Sequence, residues 1–375
     1  MNAFESGGFR RLVVKVGSSL LIGADGAVND DWLGGLADDI AGLVSRERQV
    51  LVVSSGAIAL GSAVLGINKR RARLEDLQAA AAAGQVRLAQ AWQSALDAHG
   101  IVTAQVLLTP GDTEDRRRFL NARATLERLL ARGVVPVINE NDTVATEEIR
   151  YGDNDRLAAR VAQLVMADGL LLLSDVDGLY SADPGADAAA RHIPIVRGIS
   201  DETLAMAGET RSDIGSGGMR TKVLAARIAT HAGCMTVVAS GKVRRPIAQL
   251  DAGARCTLFR PEGSPAAARK QWLAGALSVA GRVHVDEGAV RALREGRSLL
   301  PVGIVSADGA FRRGDVVSVH APDGREIARG LAEYGRDEAE AIAGCRSEDI
   351  ETRLGYRGSQ EVLHRDDMVV FDNDG

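Results

Sequence analysis

The sequence predicts a layered α/β fold with a mostly parallel sheet, followed by a small β-rich domain. Apolar, strand-like runs alternate with helical stretches from Arg11 to Ala239, which is typical of a parallel sheet covered by helices. Beyond about Leu277, short β runs separated by turn residues replace this alternation, and a turn-rich segment at Pro261–Pro265 lies between the two regions. We therefore expect a first domain at 1–262, a linker at 263–276, a second domain at 277–360 and a C-terminal tail at 361–375.

The composition is that of a soluble protein with a sizeable core. The chain has 375 residues, 46% hydrophobic and 25% charged, and no apolar run approaches the roughly 20 residues that cross a bilayer. Met1–Arg10 is polar and unlike a signal peptide. Cys234, Cys256 and Cys345 are far apart, and the six histidines are scattered, so we expect neither a disulfide framework nor a zinc site. The sequence favours a reduced, cytoplasmic protein without a membrane segment.

Lysine is scarce in this chain, which makes each lysine informative. The formal net charge of −5 gives no general reason to expect nucleic-acid binding. Where arginine is the usual basic residue, a retained lysine indicates a position that needs a compact point charge. We expect Lys69 and Lys270, in charged surface-like surroundings, to be retained by chance. Of the 45 basic residues only five are lysines: Lys15, Lys69, Lys222, Lys242 and Lys270.

The first predicted strand, Arg11–Val16, contains Lys15 and ends in a Gly-Ser-Ser turn at Gly17–Ser19. A lysine is unusual in a central strand that is buried on both faces. Either this is an edge strand with an outward lysine, or the ammonium lies at the carboxyl edge of the sheet beside a turn open to phosphate.

The second predicted strand, Val50–Val53, runs directly into a small-residue turn and a helix at Ser54–Ile58. A helix N-terminus after such a turn can bind an anion, because its free amides and its dipole point at the ligand. Many α/β turns have this composition without a ligand, so the signal is weak alone. Helices are expected at about Asp31–Ser45 and at Leu74–Ala98, the latter for packing.

The most informative stretch is Val134–Arg156. An apolar strand ends in four oxygen-bearing side chains, Asn139–Asp142, and after a polar excursion Gly152–Asp155 opens a helical pattern. Ligands of open α/β sheets collect beyond the carboxyl ends of the strands. Each residue alone is better explained as a solvated loop or a helix cap, but two clusters flanking one excursion favour a site.

Two further segments follow strands or open helices later in the chain. The strand Gly169–Leu173 ends in Ser174–Tyr180, and the glycine-rich run Gly215–Lys222 leads into a helix with a spacing that differs from a P-loop. Thr236–Ala239 is expected to be the last strand of the first domain. The second domain is expected to have strands at Gly281–Val285, Ile304–Ser306, Asp315–Val319 and Glu326–Leu331, with short helices at Glu287–Glu295 and Asp337–Ala343.

Together these motifs resemble the glutamate 5-kinase family of the amino acid kinase superfamily. The C-terminal motifs VDEGA (Val285–Ala289), SLLPVGI (Ser298–Ile304) and HRDDM (His364–Met368) resemble its appended PUA domain. The resemblance covers nearly the whole chain and implies an α/β/α kinase domain. The motifs that carry it are VVKVGSS (Val13–Ser19), SSGAI (Ser54–Ile58), RFLNAR (Arg118–Arg123), VPVINEND (Val135–Asp142), GDND (Gly152–Asp155), DGLYSADP (Asp177–Pro184) and GSGGMRTK (Gly215–Lys222).

The resemblance implies ATP-dependent phosphorylation of the side-chain carboxylate of L-glutamate to L-glutamyl 5-phosphate, the first step of proline biosynthesis. It implies Mg²⁺ that arrives with ATP, held by phosphates and water, and we expect no protein metal ligand. The implied catalytic residues are Lys15, Lys222, Asp153 and Asp155. The implied glutamate site is Ser55, Asp142 and Asn154, with Asn154 and Ser55 bonding carboxylate oxygens and Asp142 the α-ammonium. The implied ATP site is Lys15, Ser174, Asp175, Ser216, Gly217, Gly218, Met219, Arg220, Thr221 and Lys222.

The resemblance also implies partners. These are a second copy or more in a dimer or tetramer, proline as a feedback inhibitor at an overlapping site, and a glutamyl phosphate reductase that takes the product. We expect Thr143–Tyr151 to be the mobile element of that site. Two departures, Ser174 in place of threonine and Val176-Asp177 in place of a more polar pair, concern ATP affinity and not the reaction type.

Two rival classes stay open at this point. PUA domains often bind RNA, which would suit a regulatory protein, but residues 276–375 hold 13 arginines, no lysine and 19 acidic residues, a formal charge of −6. Phosphate-driven binding needs a basic patch, so we expect no RNA partner. The other class is a kinase for another acid: Asp142 speaks against N-acetylglutamate, which has no ammonium, whereas aspartate differs by only one methylene.

Overall fold

The computed structural model describes residues 6–23, 25–69, 71–144, 154–208, 218–274 and 279–371. The chain divides into two compact units, Met1–Pro265 and Ala266–Gly375. Each unit has a sheet and a hydrophobic core of its own. Among the described residues, no helix combines the length and the apolar character needed to cross a bilayer.

The first unit is built on an eight-stranded sheet in the order β3-β4-β2-β1-β5-β9-β10-β8. Every neighbouring pair is parallel except β9 and β10, which confirms the predicted mostly parallel α/β sheet. The strands are β1 (Arg11–Val16), β2 (Gln49–Ser54), β3 (Thr103–Leu108), β4 (Val135–Glu140), β5 (Gly169–Ser174), β8 (Ile195–Arg197), β9 (Met235–Ser240) and β10 (Cys256–Arg260), and a separate pair is formed by β6 (Leu179–Tyr180) and β7 (His192–Ile193).

Helices cover both faces of this sheet. Along β1, Leu12, Val14 and Val16 belong to one core cluster and Val13 to another, because successive side chains of a strand point to opposite faces. Trp32 and Trp92 fill the first cluster. The helices are α1 (Ser18–Leu21), α2 (Asp30–Val44), α3 (Ala57–Leu65), α4 (Leu74–Asp97), α5 (Pro110–Glu114), α6 (Arg116–Leu130), α7 (Asn154–Leu164), α8 (Asp201–Met206), α9 (Met219–His231) and α10 (Pro246–Asp251).

The structure decides between the two interpretations of Lys15, and it shows one strand prediction in this unit to be wrong. β1 lies in the middle of the sheet between β2 and β5, so Lys15 is not on an edge strand. Thr236–Ala239, within β9, is not the last strand, because β10 follows it at Cys256–Arg260 and runs antiparallel. A short helix, α10, lies between the two strands, so the sequence does not show that the chain turns back and pairs β10 with β9.

Helices α3 and α4 cross at unusually close range. A Cβ atom on Gly61 would lie 1.7 Å from the carbonyl oxygen of Ala80, and one on Gly84 would lie 1.8 Å from that of Ala57. Only glycine allows two backbones to approach this closely. The crossing fixes α4 against the turn that precedes α3, where Gly56 has a left-handed φ of 117°.

The second unit contains a five-stranded sheet in the order β12-β11-β13-β14-β15. The four predicted strands are present, and a fifth lies within the segment 361–375 that we expected to be a tail. Pro265–Ala274, in the expected linker, forms helix α11. The strands are β11 (Gly281–Val285), β12 (Ile304–Gly309), β13 (Val316–His320), β14 (Glu326–Leu331) and β15 (Met368–Val370), and the other helices are α12 (Glu287–Arg294), α13 (Arg336–Ala341) and α14 (Ile350–Leu354).

Candidate active site

A buried aspartate between two lysines lies at the carboxyl edge of the large sheet. Asp155, near the start of α7, is 0% exposed at its side chain. Its Oδ1 lies 2.6 Å from Nζ of Lys15, the next-to-last residue of β1, and its Oδ2 lies 3.1 Å from Nζ of Lys222 on α9. The hydroxyl of Thr221 also donates to Oδ2, at 3.0 Å. One carboxylate therefore holds the two ammonium groups of different elements.

The carboxyl group of Asp155 is ionised near neutral pH. Burial by itself raises the pKa of Asp155, but the two ammonium groups outweigh it and lower the pKa to about 2. Near neutral pH Asp155 is therefore ionised and bonds the two amines at once. Two amines held together in a place that water reaches poorly suit an anion.

The five lysines of the chain separate into two groups. Lys15 and Lys222 are buried, with 6% and 4% exposure, whereas Lys69, Lys242 and Lys270 are exposed. The two buried lysines are the ones that meet at Asp155.

Asn154, the first residue of α7, joins three elements beside this cluster. Its Nδ2 donates to the carbonyl of Ser54 at 3.0 Å, to Oγ of Ser55 at 2.7 Å and to Oδ1 of Asn139 at 2.9 Å. Nε1 of Trp92 donates to Oγ of Ser54 at 2.9 Å, which holds the end of β2 from the opposite side. The polar end of β4 and the turn after β2 thus converge with α7, and these amides and hydroxyls suit a small polar ligand.

Asp142, two residues beyond β4, is a buried carboxylate in a different situation. Its side chain is 9% exposed, and no cation of the described chain pairs with it. Burial, together with the nearby charge of Glu140, raises the pKa of Asp142 to about 7. A ligand that brings a positive charge would therefore find a partner here.

A cavity of about 760 Å³ lies next to the lysine cluster. Lys222 is part of its wall, so the cluster borders it directly. Its volume is in the range of pockets that hold nucleotide-sized ligands. The predicted ATP residues on its wall are Ser174, Asp175, Gly218, Met219, Arg220 and Lys222.

Some predicted residues are not on the cavity wall, and others lie outside the described residues. Thr221 is absent from the cavity wall and instead bonds Asp155. Asp153, Ser216 and Gly217 lie outside the described residues, as does the part of the expected mobile element at 145–151. The described residues contain no group of three or more His, Cys, Asp or Glu side chains arranged to hold a metal ion.

The structure gives Asn139 a definite role and adds Gln85, which the sequence did not single out. Asn139 accepts from Asn154 and donates through Nδ2 to Oε1 of Gln85 on α4, at 2.8 Å. Asn139 was visible as part of the polar run after the strand. Gln85 gave no signal, because α4 has the pattern of a packing helix and the contact spans 54 residues.

A second addition is found in the wall of the cavity. The hydroxyl of Tyr180 donates to Asp177 at 2.9 Å, and a guanidinium nitrogen of Arg255 lies 3.0 Å from that hydroxyl. Asp177 belongs to the pair Val176-Asp177, where the sequence departs from the family pattern. The wall thus keeps a polar network at this point.

Two families match the sequence. The amino acid kinase family matches residues 10–240, and the PUA domain matches residues 281–354. The chain is similar to the glutamate 5-kinase of Rhizobium etli, at 54% identity over 364 residues that are 97% of this chain and 94% of the relative. It is similar to glutamate 5-kinase 1 of Rhizobium meliloti at 55% identity over 362 residues, 96% of this chain and 92% of the relative. The solved UMP kinase of Ureaplasma parvum has a TM-score of 0.46 at 15% identity, covering 67% of this chain and 98% of that one, which is too distant to inform function.

Proposed function

The chain belongs to the glutamate 5-kinases of the amino acid kinase family, and from this premise we propose how its residues act. The reaction is transfer of the γ-phosphoryl group of ATP to the side-chain carboxylate of L-glutamate, giving L-glutamyl 5-phosphate, the first step of proline biosynthesis. The observation that carries the mechanism is the buried cluster of Lys15, Asp155 and Lys222, in which Asp155 follows Asn154 and Lys222 lines the cavity.

Asp142 is the partner of the glutamate α-ammonium. It is buried, it has no cation from the described chain, and its raised pKa reports the cost of leaving it charged alone. The hydroxyl of Ser55 accepts from Asn154, which leaves its own hydrogen free to donate to a substrate carboxylate. The polar groups of Ser55, Asp142 and Asn154 together match an α-amino acid head.

ATP occupies the cavity next to Lys222. The start of α9 lines it with Gly218, Met219 and Arg220, so backbone amides of a helix N-terminus face the phosphates. Mg²⁺ supplies charge neutralisation when it is bound with ATP. Phosphates and water would hold most of the ion, and the oxygens of Ser174 and Asp175 on the cavity wall would accept hydrogen bonds from its waters.

The reaction requires the protein to position the two substrates and to neutralise charge on the transferred phosphoryl group. One oxygen of the glutamate side-chain carboxylate attacks the γ-phosphorus, the bond from that phosphorus to the bridging oxygen breaks, and ADP leaves. No proton moves, because the attacking carboxylate is already ionised. Lys15 and Lys222 neutralise charge on the moving phosphoryl group, and Asp155 holds both in place. We assign Asp153 to the same task by its place in the motif.

The test is ADP release from ATP and Mg²⁺ with glutamate, aspartate and N-acetylglutamate in parallel, with hydroxylamine to trap the acyl phosphate. We expect glutamate to give hydroxamate, at a rate that saturates as the glutamate concentration rises. Aspartate is one methylene shorter and should lose roughly 10–200-fold in kcat/KM. If another acid is the preferred substrate, the assignment of glutamate is wrong. If none of the three acids is turned over, the assignment of kinase activity is wrong.

We extend the proposal to partners. Proline shares the α-amino acid head of glutamate, so it should inhibit by competing for Asp142, and Asp142→Ala should lose glutamate use and proline binding together. Proline binding that survives in this variant would refute the overlap. A homo-oligomer, delivery of the acyl phosphate to a glutamyl phosphate reductase and residence in the cytoplasm belong to the same proposal.

The second unit serves assembly or regulation and does not bind RNA in this proposal. Its formal charge of −6 over residues 276–375 repels phosphate. Titration of the full chain into labelled RNA at increasing salt should show no salt-sensitive binding at micromolar concentration. A clear shift that salt abolishes would reverse this assignment.

A further inference from the structure

We propose that Gln85 is a positioning residue of the glutamate site, which holds Asn139 in place and through it keeps the Asn154 amide where it meets the substrate. The three side chains form a chain of hydrogen bonds from α4 through β4 to α7. The inference rests on the proposed function, because it concerns the way the same site recognises glutamate.

The direction of the Asn139 amide is set by the backbone. The N–H of Glu140 donates to Oδ1 of Asn139 at 2.9 Å, and a backbone N–H can only donate. The atom that faces it must therefore be the carbonyl oxygen of the side chain. The amide nitrogen of Asn139 then points the other way, to Oε1 of Gln85 at 2.8 Å.

The direction of the Asn154 amide follows from the same logic. The backbone carbonyl of Ser54 can only accept, and it receives a hydrogen bond from Nδ2 of Asn154 at 3.0 Å. Oγ of Ser55 and Oδ1 of Asn139 accept from the same nitrogen. A reversed amide would set oxygen against oxygen at Ser54 and Asn139, so the observed direction is strongly preferred.

These directions reverse the role that we expected for Asn154, which faces the ligand with a hydrogen-bond acceptor and not with a donor. With its nitrogen engaged by protein acceptors, Asn154 presents Oδ1 to a ligand, and no donor of the described chain reaches that oxygen. It then accepts from the glutamate ammonium, as Asp142 does, and does not donate to a carboxylate. Ser55 keeps the role of carboxylate donor.

Gln85 is well placed to hold Asn139 in the position that this polarity requires. It follows Gly84, which lies in the close crossing of α3 and α4, so its backbone is held against the turn of Ser55. Asn139 is 3% exposed and has little water to replace a lost partner. Without the acceptor at position 85 its amide nitrogen is left unsatisfied, and the Asn139 side chain loses one of the hydrogen bonds that hold it in place beside Asn154.

The experiment compares Gln85→Met, which removes the acceptor at similar length, with Gln85→Glu, which keeps it. KM for glutamate, KM for ATP and kcat are measured, together with the Ki of glutarate, which lacks the ammonium but keeps both carboxylates. For Gln85→Met we expect a roughly tenfold rise in KM for glutamate, with KM for ATP and the Ki of glutarate within about twofold of wild type. Gln85→Glu should stay within about threefold throughout.

The matched control is Gln90→Met, the same substitution at an exposed position of the same helix, and it should behave as wild type. If Gln85→Met does not fold, Gln85→Ser, too short to reach Asn139, takes its place. An unchanged KM for glutamate, or equal losses for glutamate and glutarate, would overturn the inference. Equal losses for glutamate and ATP would also overturn it. Absence of glutamate turnover in the wild type would instead refute the proposed function.

Discussion

The pKa values of two buried aspartates in the same unit are shifted in opposite directions. Asp155 has a pKa of about 2 and Asp142 a pKa of about 7, although both are removed from water and burial raises the pKa of each. The difference is the cation. Asp155 has two ammonium groups from the protein, whereas Asp142 has no ion pair among the described residues and lies near the like charge of Glu140. A buried carboxylate that is paired with cations of the protein, as Asp155 is, holds the site together. A buried carboxylate without such a pair, as Asp142 is among the described residues, is a place where a ligand can supply the positive charge.

Replacing Asp155 should have the largest effect, because it leaves two buried ammonium groups without their carboxylate. For Asp155→Asn we expect about 3–5 kcal/mol loss in the free energy of unfolding and loss of ADP release by about a thousandfold or more. The measurements are urea unfolding at pH 7 and steady-state kinetics. Asp31→Asn, which breaks the exposed pair with Arg244, is the control and should change stability by less than about 1 kcal/mol.

The sign of the pH effect follows from the lowered pKa. The stability that Asp155 contributes is fully present above its unfolded pKa near 4 and is lost as the pH falls towards 2. If Asp155→Asn unfolds like the wild type at pH 7, the cluster does not stabilise the fold and only its catalytic role would stand.

Lys222→Arg should be the next largest effect, and mainly on catalysis. The guanidinium keeps the charge but is planar and wider, so it cannot occupy the same buried position 3.1 Å from Asp155 and also border the cavity. We expect kcat to fall by about 10²–10³ with a smaller change in stability. Lys242→Arg, at an exposed lysine, is the matched control. Wild-type kcat in Lys222→Arg would show that any cation suffices there.

Much of this comparison was accessible from the sequence, for identifiable reasons. Lys15 and Lys222 stood out because lysine is rare, and Asp142 and Asn154 because polar residues followed an apolar strand. The pKa difference was not accessible, since it depends on which cations arrive from distant elements. Gln85 was missed for the same reason: helical periodicity shows which face of α4 packs but not which side chain reaches across to β4. β10 was missed because nothing local marks a strand that returns antiparallel.

Asp142→Asn should act on stability in the opposite direction to Asp155→Asn. A raised folded pKa means that the folded state binds the proton more tightly, so wild-type stability falls as the pH rises from about 4 to about 7 and is level above. The full cost is about 4 kcal/mol for a shift of this size. We expect the asparagine variant to lose this slope and to be at least as stable as wild type at pH 7.5 without glutamate.

The same substitution should raise KM for glutamate by roughly 10²-fold, since the ammonium loses a charged partner. Unfolding by urea at several pH values between 5 and 8 gives the slope, and initial rates give KM. A variant that keeps the slope would place the titrating group elsewhere, and Asp142 would lose its assigned role.

The smallest effect requires no substitution. Glutamate brings an ammonium to Asp142, which lowers the pKa of that carboxyl in the complex, so binding below pH 7 must release a proton. KM for glutamate should therefore rise about tenfold for each pH unit below 7 and become constant above about pH 8. KM for ATP, bound at Lys222 in the cavity next to the cluster, should stay nearly level between pH 6 and pH 8 because Asp155 does not titrate there. Buffers of different ionisation enthalpy in calorimetry would count the released proton directly. A KM for glutamate that is flat from pH 6 to pH 8, with no proton released, would mean that Asp142 already has a cation in the free enzyme, and the contrast between the two aspartates would disappear.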